Sequence, residues 1–304
     1  MNFPVFDLHC DTALALIEKK SNLRSNQHHI DLQRASTLPG YAQCFACFTT
    51  PLMEKWGMGT AKDIFEQELA AITREILANN DVISLAKTAD DVEENLRQGK
   101  MSAVLTIEGP AGFDFDPAKL EELHRTGFRI TSLGWNEKNV LAGSHKTGGG
   151  LTDLGREFVR EAQRLGMIID VSHISDEAFW NIMDITQAPI IATHSNSRSI
   201  CGVSRNLTDE MFREICNTGG VAGFNQCAPF VVRSRIWKQP ATILFTSWNW
   251  ILPANTSPLA AIWMSVTSFL PVSTVFRVIL LWHNVFLIVD CRNPCCLIFS
   301  GTMP

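Results

Sequence analysis

Two rhythms of apolar residues alternate along this chain up to about residue 232. Short runs rich in β-branched and aromatic residues predict strands at 3–8 (FPVFDL), 42–49, 103–107 (AVLTI), 128–133, 168–171, 189–193 and 220–224. Helical spacing fills the intervals. It covers 61–98 in two pieces, IFEQELAAITREILANN and the acid-led ADDVEENLRQ, then 117–126. Further helices are predicted from Thr152 or Asp153 through Arg164, between 171 and 189, and from about Thr208 onward. The glycine-rich GSHKTGGGLTD is expected as a surface loop. Strands that alternate with helices in this way form a parallel sheet with right-handed crossovers. Seven in one series favour a closed (β/α)8, TIM-barrel-like α/β fold over an open sheet.

Parallel strands deliver their C-terminal ends to one rim, and the residues just beyond those ends carry the chemistry. They are His9 and Asp11 after the first strand, Glu108 after the third, His173 after the fifth and His194 after the sixth. Each has an ordinary alternative: a satisfied histidine, a helix cap at Asp11-Thr12, or a loop acid beside Gly109. Placed together at one rim they form a set of nitrogen and oxygen donors suited to zinc. The i, i+2 spacing puts His9 and Asp11 on one face. Five donors exceed what a single structural ion needs and divide naturally between two ions that share Glu108. A water held between two such ions ionises near neutral pH.

Composition narrows the function without supplying it. A net charge of −5, with 46% hydrophobic and 19% charged residues, describes an ordinary globular chain and argues against binding a polyanion such as nucleic acid. The opening MNFPVFDLHCD has no basic segment and meets Asp7 early, so no secretory signal is expected and the cytoplasm is the default location. Nine cysteines are scattered without zinc-finger spacing. Cys44 and Cys47 form a CxxC, but it lies inside a predicted strand, where a thioredoxin-type pair would need a helix N-terminus. Buried, reduced thiols are expected there.

The segments DLHCDT, TIEG, DVSH and ATHSNSR, followed by Gly202-Val203-Ser204-Arg205-Asn206-Leu207-Thr208-Asp209, resemble the renal or membrane dipeptidase family of zinc metallopeptidases, within the amidohydrolase-type barrels. The resemblance covers about residues 3–232. It implies two zinc ions, one on His9 and Asp11 and one on His173 and His194, with Glu108 bridging them as the catalytic carboxylate. It also implies that Arg205 holds the terminal carboxylate of a small dipeptide, a task that suits a planar guanidinium. Trp135 stands where animal members carry an oxyanion-binding histidine, which implies a subgroup difference in substrate handling, and His145 in the nearby loop could approach the site. A homodimer is compatible with the resemblance, whereas nucleic-acid and membrane partners are not expected. Two other functions share the same donors: hydrolysis of N-acyl amino acids or lactones, and a non-catalytic relic that only binds metal.

The alternation stops at about Ser234, which divides a 1–233 barrel from an atypical 234–304 tail. Only Lys238, Arg277, Asp290 and Arg292 are charged among residues 236–304, yet five of the eight tryptophans lie there. A solvated helical layer cannot be built from so few charges. The family should supply here a last strand ending in a Gly-Asp-x-Asp type motif, and none is present. Back-translated and read two bases on, residues 255–272 permit HIPLGGDLDVCDEFPAG, and the codons for Trp263 and Met264 force one of its aspartates. The expectation is an out-of-frame tail that begins near Arg233 to Ile236, a barrel incomplete in its last strand and C-terminal helices, and a chain that is poorly soluble or nearly inactive. A membrane tail fits less well. Val278 to Val289 is shorter than the ~20 residues a span requires, and it carries His283 and Asn284.

Overall fold

A computed structural model of the chain describes residues 4–231 and, beyond them, the backbone of four strands at 263–265, 277–282, 285–290 and 297–302. In chain order, β1 (Val5–Cys10) precedes α1 (Thr12–Lys19), a short α2 (Leu32–Ala35), β2 (Tyr41–Phe48) and α3 (Ala61–Ala78). Then come β3 (Ile83–Leu85), α4 (Ala89–Arg97), β4 (Met101–Glu108), α5 (Leu120–Thr126) and β5 (Phe128–Ser132). A hairpin of β6 (Ala142–Ser144) and β7 (Gly148–Leu151) leads into α6 (Asp153–Arg164), β8 (Ile168–Asp170), α7 (Asp176–Met183) and β9 (Ile190–Ile191). α8 (Asp209–Asn217), β10 (Gly223–Asn225) and a single turn, α9 (Ala228–Val231), end the continuous part. β11 (Trp263–Ser265), β12 (Arg277–Trp282), β13 (Val285–Asp290) and β14 (Leu297–Thr302) follow.

Eight strands pair in the order β10-β11-β1-β2-β4-β5-β8-β9, all parallel. The two ends of that path meet through a parallel bridge between Ala192 and Ala222, where the Gly223 amide donates to the Ala192 carbonyl at 2.7 Å. The sheet is therefore a barrel, and its C-terminal rim gathers the ends of β1, β4, β8 and β9. Inside and around it packs a continuous core that includes Phe45, Leu105, Phe128, Phe158, Ile169 and Phe179. Cys44 and Cys47 are buried in β2 as free thiols, and burial raises the pKa of both, so they are inert core residues.

Three departures from the sequence expectations have physical causes. The glycine-rich stretch is an antiparallel hairpin rather than an open loop. Its strands approach so closely that a Cβ on Gly143 would sit 2.0 Å from the Gly148 carbonyl oxygen, so glycine replaces the apolar signal of a strand. β3, hidden in the helical interval, pairs only with Met101–Ala103 of β4, below the point where β5 begins at Leu105. The eighth place is occupied by β11, so β1 and β10 do not present the unpaired edges expected from the sequence. The expected C-terminal helices and the 233–236 junction lie outside the described residues, and β12, β13 and β14 form a separate antiparallel sheet. Among the described residues no helix is long and apolar enough to cross a membrane.

α3 contains one anomaly. Thr60 caps it by accepting from the Asp63 amide, and Ile64, Ile72 and Ile76 form its buried stripe at four-residue intervals. Glu68 occupies the same stripe and is fully buried. Neither of its oxygens makes a hydrogen bond of full geometry, although the Phe48 backbone contributes a weak one. Burial, reinforced by the charges of Asp11 and Glu108, raises its pKa well above the ordinary carboxylate value. A raised acid makes the native state bind more protons than the unfolded one, so it lowers stability as pH climbs above the unfolded pKa of about 4.3. Glu68→Met is expected to raise the melting temperature at pH 8 by more than at pH 5, with a gain of about 1–3 kcal/mol at the higher pH. Thermal melts at the two pH values check this, and an equal or negative shift at both would contradict it.

Candidate metal site

The first strand ends by handing two donors to the rim. His9 is buried at the end of β1, and Asp11 occupies the position before α1 without capping it through its side chain, which leaves its carboxylate directed elsewhere. Asp11 Oδ1 lies 3.3 Å from His9 Nε2. From β4, Glu108 places its two oxygens on opposite duties. Oε2 is 3.3 Å from His9 Nε2, while Oε1 is 3.1 Å from His173 Nε2 and 3.6 Å from His194 Nε2. Donor atoms from His9, Glu108 and His194 all lie within 4.8 Å of one another. Two ligands bound at 2.0–2.1 Å to one tetrahedral ion are about 3.3 Å apart, which is the spacing found here.

The imidazoles cannot satisfy one another without a cation. His173 donates from Nδ1 to Asn136 Oδ1 at 3.0 Å, because an amide oxygen only accepts. His194 Nδ1 meets the Thr193 hydroxyl at 2.7 Å, and that hydroxyl donates to Asp170 at 2.6 Å, so it too must accept from the ring. Both rings therefore turn bare Nε2 lone pairs toward each other, 2.8 Å apart. Burial, aided by nearby Arg205, pulls His173 down to about 3, and burial with the neighbouring His9 and Arg205 lowers His194 as well, so a proton does not fill the gap. On the other side the sign reverses. Burial alone would lower His9, but Glu108 and Asp11 raise it well above its ordinary value, so a proton there stands in for a cation between two carboxylates. Burial likewise would raise Glu108, yet the His9 charge beside it, with the His9 hydrogen bond, holds it well below the usual range. The donor set thus fits divalent metal on both chemistry and spacing.

Backbone strain helps aim the set. His173 is a non-glycine residue at φ 71°, in the left-handed region, fixed by the antiparallel bridge from Ser144 to Ile174 and by the His145 amide donating to its carbonyl at 2.8 Å. The hairpin that the sequence presents as a loop is therefore the clamp on a candidate ligand.

Arg205 is a buried residue rather than a surface one. It donates to Ser195 Oγ at 2.7 Å and to the His194 carbonyl at 2.9 Å, and its Nε has no hydrogen bond among the described residues. Trp135 lines the same cavity as the donors, a space of about 430 Å³. Its ring makes edge contacts with Phe48 and Trp56 at 5.3 and 5.7 Å, and Lys146 lies over its face at 5.8 Å. His145 does not take over the Trp135 position. It donates from Nε2 to Asn136 at 2.7 Å and faces Ser204 Oγ at 3.3 Å.

Asn136, Thr193 and Asp170 went unnoticed in the sequence. Asp170 accepts from the Ser172 and Thr193 amides as well as the Thr193 hydroxyl, tying the ends of β8 and β9 together. A polar residue at or within two of a strand end was the available signal, and Asp170 and Thr193 meet it, whereas Asn136 lies four residues past the end of β5. Asn136→Ala is expected to weaken zinc binding by roughly 10–100-fold, the range for a lost partner of a metal-bound imidazole. Competition with a chromogenic chelator measures it, and unchanged affinity would show that His173 needs no such orientation.

The sequence profile of the membrane dipeptidases (peptidase family M19) matches residues 1–269. An uncharacterized protein in the PQQ-III 3′ region of Acinetobacter calcoaceticus is 30% identical over 253 residues, 74% of this chain and 80% of that one. Dipeptidase tcpJ of Claviceps purpurea is 30% identical over 164 residues, 53% of this chain, which spans only 38% of that enzyme's length. A metallopeptidase of Rhodobacter sphaeroides, crystallised with a phosphinate mimic of the dipeptide L-Ala-D-Ala, shares the fold with a TM-score of 0.74 at 23% identity, covering 87% of this chain and 86% of its own.

Proposed function

The chain belongs to the membrane dipeptidase family, peptidase family M19, and on that footing we propose that its barrel mouth is a two-zinc site that hydrolyses the peptide bond of small dipeptides. The carrying observation is that the two oxygens of Glu108 face two separate donor pairs. His9 and Asp11 would hold one ion, His173 and His194 the other, and Glu108 both. Ions held there would polarise the scissile carbonyl and ionise a water shared between them near neutral pH. The remaining work falls to the protein. Arg205 uses two of its N–H groups on Ser195 and the His194 carbonyl and stands behind the cavity wall, over the Phe230 ring, so it steadies the His194 segment and would meet a terminal carboxylate only if that wall gives way. Trp135 and Phe48 wall the cavity with aromatic surface that packs a side chain and excludes water, and Trp56 braces Trp135 edge-on from outside it. Asn136 and Thr193 hold the two imidazoles with Nε2 inward.

We infer further that residues 234–304 are an out-of-frame translation. Support comes from the register of β11: its backbone fills the eighth place between β10 and β1, with Met264 opposite Asp7. Trp263 and Met264 are the residues whose codons force an aspartate two bases on, so the shifted frame would put an acid in the eighth strand beside Asp7. In the frame as written, Trp263-Met264-Ser265 offers no carboxylate to accept a proton, so turnover is weak.

The test is a substrate panel for the zinc-loaded chain. Slow cleavage of dipeptides is expected, abolished by a chelator and restored by zinc, with no cleavage of N-acyl amino acids or lactones. Cleavage of the acyl compounds instead would move the chain to another amidohydrolase reaction. Bound zinc with no hydrolysis, even after the frame is restored, would make it a relic.

A further inference from the structure

Three carboxylates line the cavity, those of Asp11, Glu108 and Glu18, and no lysine or arginine lines it among the described residues. Two are drawn to His9. Glu18 takes part in none of the ion pairs among the described residues. Its place on the wall follows from helix geometry. Asp11, Leu14, Ala15 and Glu18 recur at i, i+3, i+4 and i+7, so α1 turns one face to the cavity, and Lys19 and Lys20 fall off that face.

Distance decides what Glu18 can meet. At 1.5 Å per residue it stands roughly 10 Å beyond Asp11 along the helix. In a dipeptide the α-amino nitrogen is only two bonds, roughly 2.5 Å, from the scissile carbonyl carbon, so it stays beside the metal donors. A lysine or arginine side chain on the same residue reaches roughly 6 Å from its Cα. Leu14 and Ala15 lie between Asp11 and Glu18 and offer apolar surface to the methylene stem of such a side chain. Arg205 belongs to the segment after β9, which β10 and β11 separate from β1, so the residue proposed for the terminal carboxylate and Glu18 come from different sides of the barrel. The cavity of about 430 Å³ leaves room for a substrate larger than two alanines.

We propose that Glu18 selects dipeptides that carry a cationic side chain on the residue at the amino side of the scissile bond. This rests on the dipeptidase reading of the site. Glu18 is exposed, so its preference is modest and falls with ionic strength.

The experiment compares lysyl-alanine with norleucyl-alanine, which has the same stem without the ammonium, by calorimetric binding to the zinc-loaded full chain at low salt. The expected Kd ratio is about fivefold in favour of the lysyl compound, near one for Glu18→Gln, and inverted for Glu18→Lys. Alanyl-lysine gains no such advantage. Equal binding of the first two by the unaltered chain, or a preference that survives Glu18→Gln, overturns the proposal. Hydrolysis of the same compounds is followed in parallel. Absence of all cleavage counts against the dipeptidase reading, whereas the binding ratio still decides the role of Glu18. Failure of both dipeptides to bind overturns both.

Discussion

Glu108→Ala is expected to empty the site of at least one of two zinc ions and to reduce dipeptide turnover by more than the roughly 10–100-fold that a lost outer partner costs. The reason lies in the division of labour between its oxygens. Oε2 faces His9, and Oε1 faces His173 and His194, so no single neighbour can replace both. Without that carboxylate, His173 and His194 are left with two neutral nitrogens for an ion, and His9 and Asp11 with one nitrogen and one carboxylate. Glu108→Gln separates charge from volume. Its amide keeps one oxygen and turns an N–H₂ toward the other donor pair, so it should retain one ion where alanine retains one or none. Zinc per chain by elemental analysis, with near-ultraviolet circular dichroism to confirm folding, reads the result. Two ions retained in a folded Glu108→Ala chain would show that the glutamate does not bridge.

Replacing residues 234–304 with the translation from two bases on is expected to raise kcat/KM by about 10²–10⁴, the contribution of a positioned proton-transfer group. The present eighth strand pairs correctly with β10 and β1 by backbone alone. Its three residues, Trp263, Met264 and Ser265, have no acid to give the rim. The restored chain should therefore gain catalysis while the donor set is unchanged, and changing its strand-eight aspartate to asparagine should return it to the present rate. Gene sequence across codon 234 settles the origin of the tail independently. Equal rates for the present and restored chains would leave the tail as a working part of the protein.

The convergence of His9, Asp11, Glu108, His173 and His194 was legible because a parallel barrel delivers strand ends to one place, so a histidine or acid just past an apolar run carries positional information. Strand β9 is only two residues long, yet Ile190 and Ile191 within an apolar run were enough to place His194. What stayed hidden has a different physical character. The β6–β7 hairpin is written in glycine, whose absence of a side chain allows close backbone approach but erases periodicity. The Asn136 and Thr193 contacts join residues far apart in sequence or depend on which way one hydroxyl proton points, and neither leaves a pattern in the chain. Arg205 was placed by resemblance alone. Its burial and its hold on the His194 carbonyl came only with the fold. Glu68 breaks the apolar stripe of α3, and an acid at that position looks like an ordinary surface residue until its neighbours close over it.

Anomalous diffraction from crystals of the zinc-loaded chain, collected on either side of the zinc edge, tests the central claim most directly. Two peaks are predicted, one between His9 and Asp11 and one between His173 and His194, each within coordination distance of a different Glu108 oxygen. A single peak, or zinc bound away from Glu108, would contradict it.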